Sequence, residues 1–173
     1  MSPRSADTAR SGAVIEHAGP DDWERVRAVR LRALRDARDA FLTTVEEARA
    51  KPAEVWHEQL GSTAAATFLA AIEGRDVGMA VGAPHHGDPG EAGLYGVWVA
   101  PDARGRGVGV DLLAAVTTWA RERGYARIRL DVGDHNQEAS RLYVGFGFSP
   151  TGATSSFPPP RQHVTEHELA LDL

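Results

Sequence analysis

Hydrophobic and polar positions along this chain follow two periods, and together they predict a mixed α/β order of elements. Apolar residues recur at helical spacing in four segments, which predict helices over residues 20–37, 52–60, 108–124 and 136–145. Alternation with a period of two, or a short apolar run, predicts strands over residues 13–18, 67–72, 77–83, 93–99, 127–132, 148–153 and 164–171. The strand–helix–strand order through residues 93–132 indicates a parallel pair with a right-handed crossover. A ligand is then expected at the carboxyl ends of those two strands.

Length and composition indicate a single globular domain. The chain has 173 residues, of which 42% are hydrophobic, and no apolar run reaches the ~20 residues of a membrane span. Residues 1–12 are polar and do not resemble a signal peptide, so we expect a disordered tail followed by one domain over residues 13–173. There is no cysteine, which excludes a disulfide scaffold, a Cys₄ zinc site and a cysteinyl acyl-enzyme. We expect a cytoplasmic protein.

The charge balance bears on the partners. A net charge of −5 argues against a nucleic-acid partner, because such proteins carry a basic footprint. The same balance mildly favours a cationic acceptor such as an amine.

The segment after the strand at residues 93–99 has the composition of an anion site. The apolar run ends at Pro101, and a turn with Arg104, Gly105, Arg106, Gly107 and Gly109 leads into the helix that begins at Val108. Unpaired N–H groups and the positive end of the helix dipole would point at one place, where a pyrophosphate is a common ligand. The alternative is a glycine-rich turn whose arginines face solvent.

Two familiar phosphate motifs do not fit this turn. A P-loop needs a lysine, but the single lysine of the chain is Lys51. A dinucleotide fingerprint needs its third glycine one place later than Gly109, where the chain has Val110. What remains is R-x-x-G-x-G.

A second motif lies downstream, and together the two resemble a known family. Residues 136–148 have the pattern N-x-x-A-x-x-L-Y-x-x-x-G-F, with Asn136, Tyr143 and Gly147 among its fixed positions. The chain thus resembles the GNAT superfamily of acyl-CoA-dependent N-acetyltransferases, in motif detail over residues 92–150. The resemblance implies a mixed, mostly antiparallel central sheet of six to seven strands with helices on both faces, and a β-α-β cofactor unit at residues 93–132.

The resemblance also implies roles for individual residues. The turn from Arg104 to Gly109 would hold the CoA pyrophosphate, and the strand around residues 96–99 would pair with the pantetheine arm. Asn136 and Tyr143 would contact the cofactor, and Tyr143 would donate a proton to the departing thiolate. The expected cofactor-binding set is Gly96, Val97, Trp98, Val99, Arg104, Gly105, Arg106, Gly107, Val108, Gly109, Asn136 and Tyr143.

Candidates for the remaining chemistry come from the surrounding residues. Asp131 lies between Leu130 and Val132 on a predicted strand, so its side chain should face away from theirs. The resemblance makes it our candidate general base, because some members of the family have an acidic base at this point. It could equally be an exposed carboxylate or a partner of Arg129. Glu46 and Glu47 are further acceptor-site candidates, and Asn136 could serve as a helix N-cap. The pair His85–His86 has no accompanying metal motif, so no metal is expected.

These observations favour an acetyl-CoA-dependent N-acetyltransferase. With no cysteine, the acetyl group should pass directly to a primary amine in a ternary complex. A small-molecule amine is slightly favoured, and a protein N-terminus or lysine stays open. A non-catalytic acyl-CoA-binding or sensing domain stays open too, as does a nucleotide-binding regulator. The expected partners are acetyl-CoA and an amine, without nucleic acid or membrane, and a homodimer stays open.

Overall fold

One mixed sheet organises the fold. The computed structural model describes residues 7–8 and 11–173, and its strands lie in the order β1-β2-β3-β4-β5-β6-β8-β7. The strands are β1 Asp7–Thr8, β2 Val14–Ala18, β3 Ala66–Ile72, β4 Arg75–Pro84, β5 Ala92–Val99, β6 Arg127–Gly133, β7 Ser149–Ser156 and β8 Thr165–Asp172. The helices are α1 Trp23–Asp36, α2 Val45–Ala50, α3 Ala53–Gly61, α4 Val108–Glu122 and α5 Gln137–Phe146.

The predicted fold class is confirmed. Of the seven neighbouring strand pairs, only β5 and β6 run parallel, and the strand–helix–strand unit that joins them is the one expected over residues 93–132. The eighth strand, β1, is a two-residue strand that pairs with β2 through Thr8 and Val14. The expected tail over residues 1–12 lies outside the described residues at positions 1–6 and 9–10 and stays a prediction there.

Helix α2 was not predicted from the sequence. Its six residues begin after Thr44, whose hydroxyl accepts a hydrogen bond from Glu47 N while the Glu47 carboxylate accepts one from Thr44 N. This reciprocal pair is a capping box, and the spacing T-x-x-E that encodes it was present in the sequence. The hydrophobic period alone missed α2 because the helix is less than two turns long.

Helices cover both faces of the sheet. A Cβ on Gly82 would lie 2.6 Å from the Trp119 ring, which shows how closely α4 approaches β4 on one face. By alternation, Met79 and Val81 point to the other face, where they line a cavity together with Val26 of α1. The sheet therefore separates α4 from α1.

Strands β5 and β6 diverge soon after they begin. Their parallel pairing is confined to Ala92 with Ile128 and Gly93 with Arg129. Further along, β5 carries a bulge opposite β4, with Gly96 at φ 61°. The facing edges of the two strands are therefore not paired with each other toward their carboxyl ends.

Among the residues that the structure describes, no helix is both long and apolar enough to cross a membrane.

Candidate functional site

A cleft of about 610 Å³ opens at the carboxyl end of β5. Its wall combines the carboxyl end of β5, the glycine-rich turn, the start of α4, one side of α5 and the segment after α1. Ten of the expected cofactor-binding residues line it: Val97, Trp98, Val99, Arg104, Gly105, Gly107, Val108, Gly109, Asn136 and Tyr143. The two motifs of the sequence thus meet in one cavity.

The glycine-rich turn presents backbone donors to this cleft. Gly105 and Gly107 have φ angles of 72° and 91°, a region that side chains with a Cβ rarely adopt. Gly107 is the N-cap of α4, and its carbonyl accepts the hydrogen bond of Asp111 N at 3.1 Å. The N–H groups of Val108, Gly109 and Val110 precede that bond and have no intrahelical acceptor. The helix start therefore has the donors and the dipole that suit a pyrophosphate.

Arg104 is held by the protein itself. Its Nε donates to the Val99 carbonyl at 3.0 Å, and its Nη2 donates to Asp36 Oδ2 at 2.5 Å. The same Asp36 oxygen accepts the indole N–H of Trp98 at 3.0 Å. Asp36 thus ties the end of α1 to β5 and to the turn, and Arg104 shapes the turn as well as lending it charge.

Sequence reasoning missed Asp36. Its position in the last turn of α1 was a usable indication, because a carboxylate there is unfavourable toward the helix dipole and implies a partner elsewhere.

Two expected cofactor contacts do not line the cleft. Arg106 is exposed and is not part of the cleft wall, and Gly96 lines a neighbouring cavity. Their assignment to the cofactor stays a prediction.

Tyr143 combines a buried ring with a place in the cleft. The residue is 8% exposed, and its ring packs edge-on against Phe148 with centroids 6.0 Å apart. Burial raises the pKa of the Tyr143 hydroxyl well above its usual value, because the phenolate would lack water. The hydroxyl therefore keeps its proton at neutral pH.

Asn136 is a helix cap that also faces the cleft. Its Oδ1 accepts a hydrogen bond from Ala139 N at 3.2 Å, so the predicted N-cap role is correct. The side-chain amide still has two N–H donors to offer a ligand.

Asp131 lies outside the cleft, in a separate polar cluster. It is half-buried on β6, opposite Glu168 in the register with β8. One ligand atom each from Asp131, His85 and His86 lie within 4.8 Å of one another. Burial, reinforced by the charge of Glu168, raises the pKa of Asp131 against the opposing effect of the two histidines. A carboxylate with a raised pKa is a better proton acceptor than an exposed one.

Arg129 is not the ion-pair partner of Asp131 that the sequence left open. Its guanidinium pairs with the carboxylate of Glu91 instead, and its Nη1 lies 3.5 Å from Glu168 Oε1. Glu47 is used in the capping box of α2, and neither Glu46 nor Glu47 lines the cleft.

The histidine cluster does not have the hydrogen bonding of a metal site. His85 Nδ1 accepts hydrogen bonds from the backbone N–H groups of Gly87 and Asp88, at 3.2 Å each. This nitrogen therefore carries a lone pair, and the proton of the neutral ring lies on Nε2. Neither nitrogen is then free to bind a cation without breaking the loop.

The chain matches a family model over most of this site. The model is described as the acetyltransferase (GNAT) family and matches residues 31–148. The mycothiol acetyltransferase of Thermomonospora curvata is 32% identical over 94% of this chain and 52% of that protein. The mycothiol acetyltransferase of Cellulomonas flavigena is 31% identical over 92% and 46%, so the chain spans about half the length of these relatives.

Solved structures share the fold. The GNAT domain of S. lividans PAT superposes with a TM-score of 0.76 at 20% identity, over 100% of both chains. A ribosomal-protein-alanine N-acetyltransferase from Brucella melitensis gives 0.73 at 24% identity, over 92% of this chain and 99% of that one. A putative acetyltransferase from Salmonella typhimurium, solved with its cofactor acetyl-CoA, gives 0.73 at 20% identity over 93% and 94%.

Proposed function

The chain belongs to the acetyltransferase (GNAT) family, and on that basis we propose that it transfers the acetyl group of acetyl-CoA directly to a primary amine in a ternary complex. One observation carries this proposal: the carboxyl end of β5, beyond its pairing with β6, lines a single cleft together with the anion-binding turn and Tyr143.

The proposed cofactor contacts follow from the donors in the cleft. The N–H groups at the start of α4 hold the pyrophosphate, and Arg104 adds positive charge beside them. The exposed backbone edge of β5 pairs with the amide groups of the pantetheine arm, because nothing on β6 competes for it there. A backbone N–H of this edge polarises the thioester carbonyl.

The proposed chemistry moves two protons. The neutral amine attacks the thioester carbon, and Asp131, directly or through water, accepts the proton that the nitrogen loses. The carbon–sulfur bond then breaks, and Tyr143 donates its proton to the departing thiolate. Solvent restores the proton to Tyr143, and the acetylated amine and free CoA leave.

The acceptor is proposed to be a small molecule. The relatives named mycothiol acetyltransferase support a small acceptor in this branch of the family. Acetylation of a protein N-terminus or a lysine is the alternative.

Turnover of acetyl-CoA against a panel of small amines and short peptides tests the proposal. We expect free CoA to appear only with certain amines, together with an equal amount of N-acetylated product. Binding of acetyl-CoA without turnover of any amine would instead indicate a non-catalytic acyl-CoA-binding domain.

A further inference from the structure

A second cavity of about 400 Å³ lies beside the cleft, on the face of the sheet that α1 covers. Helices α1, α2 and α3 form its outer wall, and β3, β4 and β5 form its floor. Its lining includes Gly96, and the next residue, Val97, lines the cleft. The two spaces are therefore lined by consecutive residues of β5 at its bulge.

This cavity holds two cations and no acid. Arg30 and Lys51 both line it, and none of the described residues in its wall is an aspartate or glutamate. The Arg30 guanidinium lies 4.6 Å from the centroid of the Phe41 ring and pairs with no described carboxylate. Lys51 Nζ lies 3.4 Å from Gln59 Oε1 and 4.7 Å from the Trp56 ring.

Another arginine of α1 has the carboxylate partners that Arg30 lacks among the described residues. Arg25, also on α1, is bound by the carboxylates of Glu16, Asp22 and Asp76. Burial lowers the pKa of Arg30, and burial together with the charge of Arg30 lowers the pKa of Lys51. Two neighbouring cations without a counter-charge are costly in a folded protein unless an anion joins them.

A third donor in the cavity lacks an acceptor. Trp56 lines the same cavity and is 4% exposed, and its Nε1 has no hydrogen-bond partner among the described residues. An indole N–H can only donate, so it needs an acceptor. A half-buried ammonium, a half-buried guanidinium and a buried N–H in the wall of one cavity are the complement of an oxyanion.

The position of Arg30 connects this space with the proposed reaction. A Cβ built on Gly96 would lie 3.3 Å from Arg30 Nη1, so the guanidinium rests against the bulge of β5. A group bound there lies next to the strand edge at which the thioester is proposed to lie. A cavity of this size suits a small molecule.

We propose that this cavity binds the carboxylate of the acceptor, so that the substrate is a small amine that also carries a carboxylate group. This inference rests on the proposed function. It replaces the expectation of a simple cationic acceptor drawn from the net charge of −5, because the charge within the cavity is positive although that of the whole chain is negative.

The test compares amino acids with their primary amides as acceptors. Glycine and phenylalanine are paired with glycinamide and phenylalaninamide, and kcat/KM is measured for wild type, Arg30→Met and Arg27→Met. Arg27 is a control on the same helix that does not line the cavity. Taking the ratio of variant to wild type for each acceptor removes the intrinsic difference in amine reactivity.

We expect Arg30→Met to lower kcat/KM for the carboxylates by roughly 10- to 100-fold, as for loss of a hydrogen bond to a charged group. The amides should change little, and Arg27→Met should change neither. Arg30→Met should be at least as heat-stable as wild type, because it removes an unpaired cation. Equal effects of Arg30→Met on acids and amides would overturn the inference while leaving acetyl transfer intact.

Two further measurements distinguish a site for the acceptor carboxylate from failure of the proposed acetyl transfer and from a site for the acyl donor. Calorimetric binding of N-acetylphenylalanine, dependent on Arg30, would support the carboxylate site even if no acetyl transfer were found. Binding that is unchanged in Arg30→Met would refute it. Arg30-dependent use of succinyl-CoA in preference to acetyl-CoA would assign the cavity to the acyl donor and overturn the acceptor assignment.

Discussion

At the scale of single residues, Tyr143 gives the sharpest prediction. Tyr143→Phe keeps the ring and its packing on Phe148 and removes only the hydroxyl. We expect kcat to fall by roughly 10²-fold, the lower range for lost general acid catalysis, with little change in acetyl-CoA affinity or thermal stability. Steady-state kinetics and calorimetry check this. A variant that turns over normally would remove Tyr143 from the proton path.

Asp131 is expected to control the pH dependence of the reaction. Its pKa is raised by burial, so the acidic limb of kcat/KM should lie above the ordinary range of an aspartate, with activity lost as pH falls through it. Asp131→Asn should be slow at every pH and should lack that limb. A silent Asp131→Asn together with a silent Tyr143→Phe would mean that water carries both protons.

The sequence predicted the site residues that its motifs contain, and missed those defined only by distant contacts. Tyr143 and Asn136 were found through their fixed spacing, and the structure brings both to the cleft. Asp36 and Arg30 belong to no motif. Asp36 matters because it contacts Trp98 and Arg104, more than sixty positions away, and Arg30 because it pairs with none of the carboxylates that the structure describes. Such relations appear only when the chain is folded.

At the scale of elements, the loop between β4 and β5 depends on a neutral histidine. Burial lowers the pKa of His85, whose Nδ1 accepts the N–H groups of Gly87 and Asp88. Above pH 6.5, the ordinary pKa of histidine, neutral His85 should contribute fully to the free energy of unfolding. This stabilisation should be lost as the pH falls from there through the lowered pKa of His85.

Denaturation at several pH values checks this, with two variants. His85→Asn places a non-titrating acceptor near Nδ1 and should remove that part of the acid loss. His163→Asn takes a histidine from an exposed turn and should not. An identical pH profile for wild type and His85→Asn would contradict the assigned role.

The type of an element was predictable where its hydrophobic period extends over several turns. Short helices and bulges were not predictable in this way. The prediction of helix α4 was correct because its apolar stripe runs over four turns, and Val116 and Leu112 are buried as its spacing requires. Helix α2 is too short to show a period. The bulge at Gly96 depends on the register with β4, which the sequence of β5 alone does not contain.

At the scale of the whole molecule, the short pairing of β5 and β6 leaves the carboxyl end of β5 open to the cleft. Periodicity indicates which face of a strand is buried, but not how far two strands remain paired. The strand–helix–strand order therefore indicated a ligand at the carboxyl ends of these strands, whereas the extent of the cleft appears only in the folded chain.

Whether both substrates are bound at the same time depends on the site as a whole. The cleft and the second cavity are lined by consecutive residues of β5, Val97 and Gly96, and the chain has no cysteine to hold an acyl group. Initial-rate plots against acetyl-CoA at several acceptor concentrations should therefore intersect, as for a ternary complex. Parallel lines, or one acetyl group added to the enzyme without acceptor, would show a covalent intermediate instead.

The central claim is that acetyl-CoA binds in this cleft, and calorimetric titration of two glycine variants tests it most directly. Gly107 and Gly124 lie at opposite ends of α4 with φ angles of 91° and 78°, and neither position has a neighbour closer than 3.8 Å to an added Cβ. A glutamate at either should cost about 1–2 kcal/mol of stability from backbone strain. Only Gly107→Glu puts bulk and negative charge at the proposed pyrophosphate site. We predict no detectable acetyl-CoA binding for Gly107→Glu and wild-type affinity for Gly124→Glu, whereas equal affinity in both variants would contradict the account.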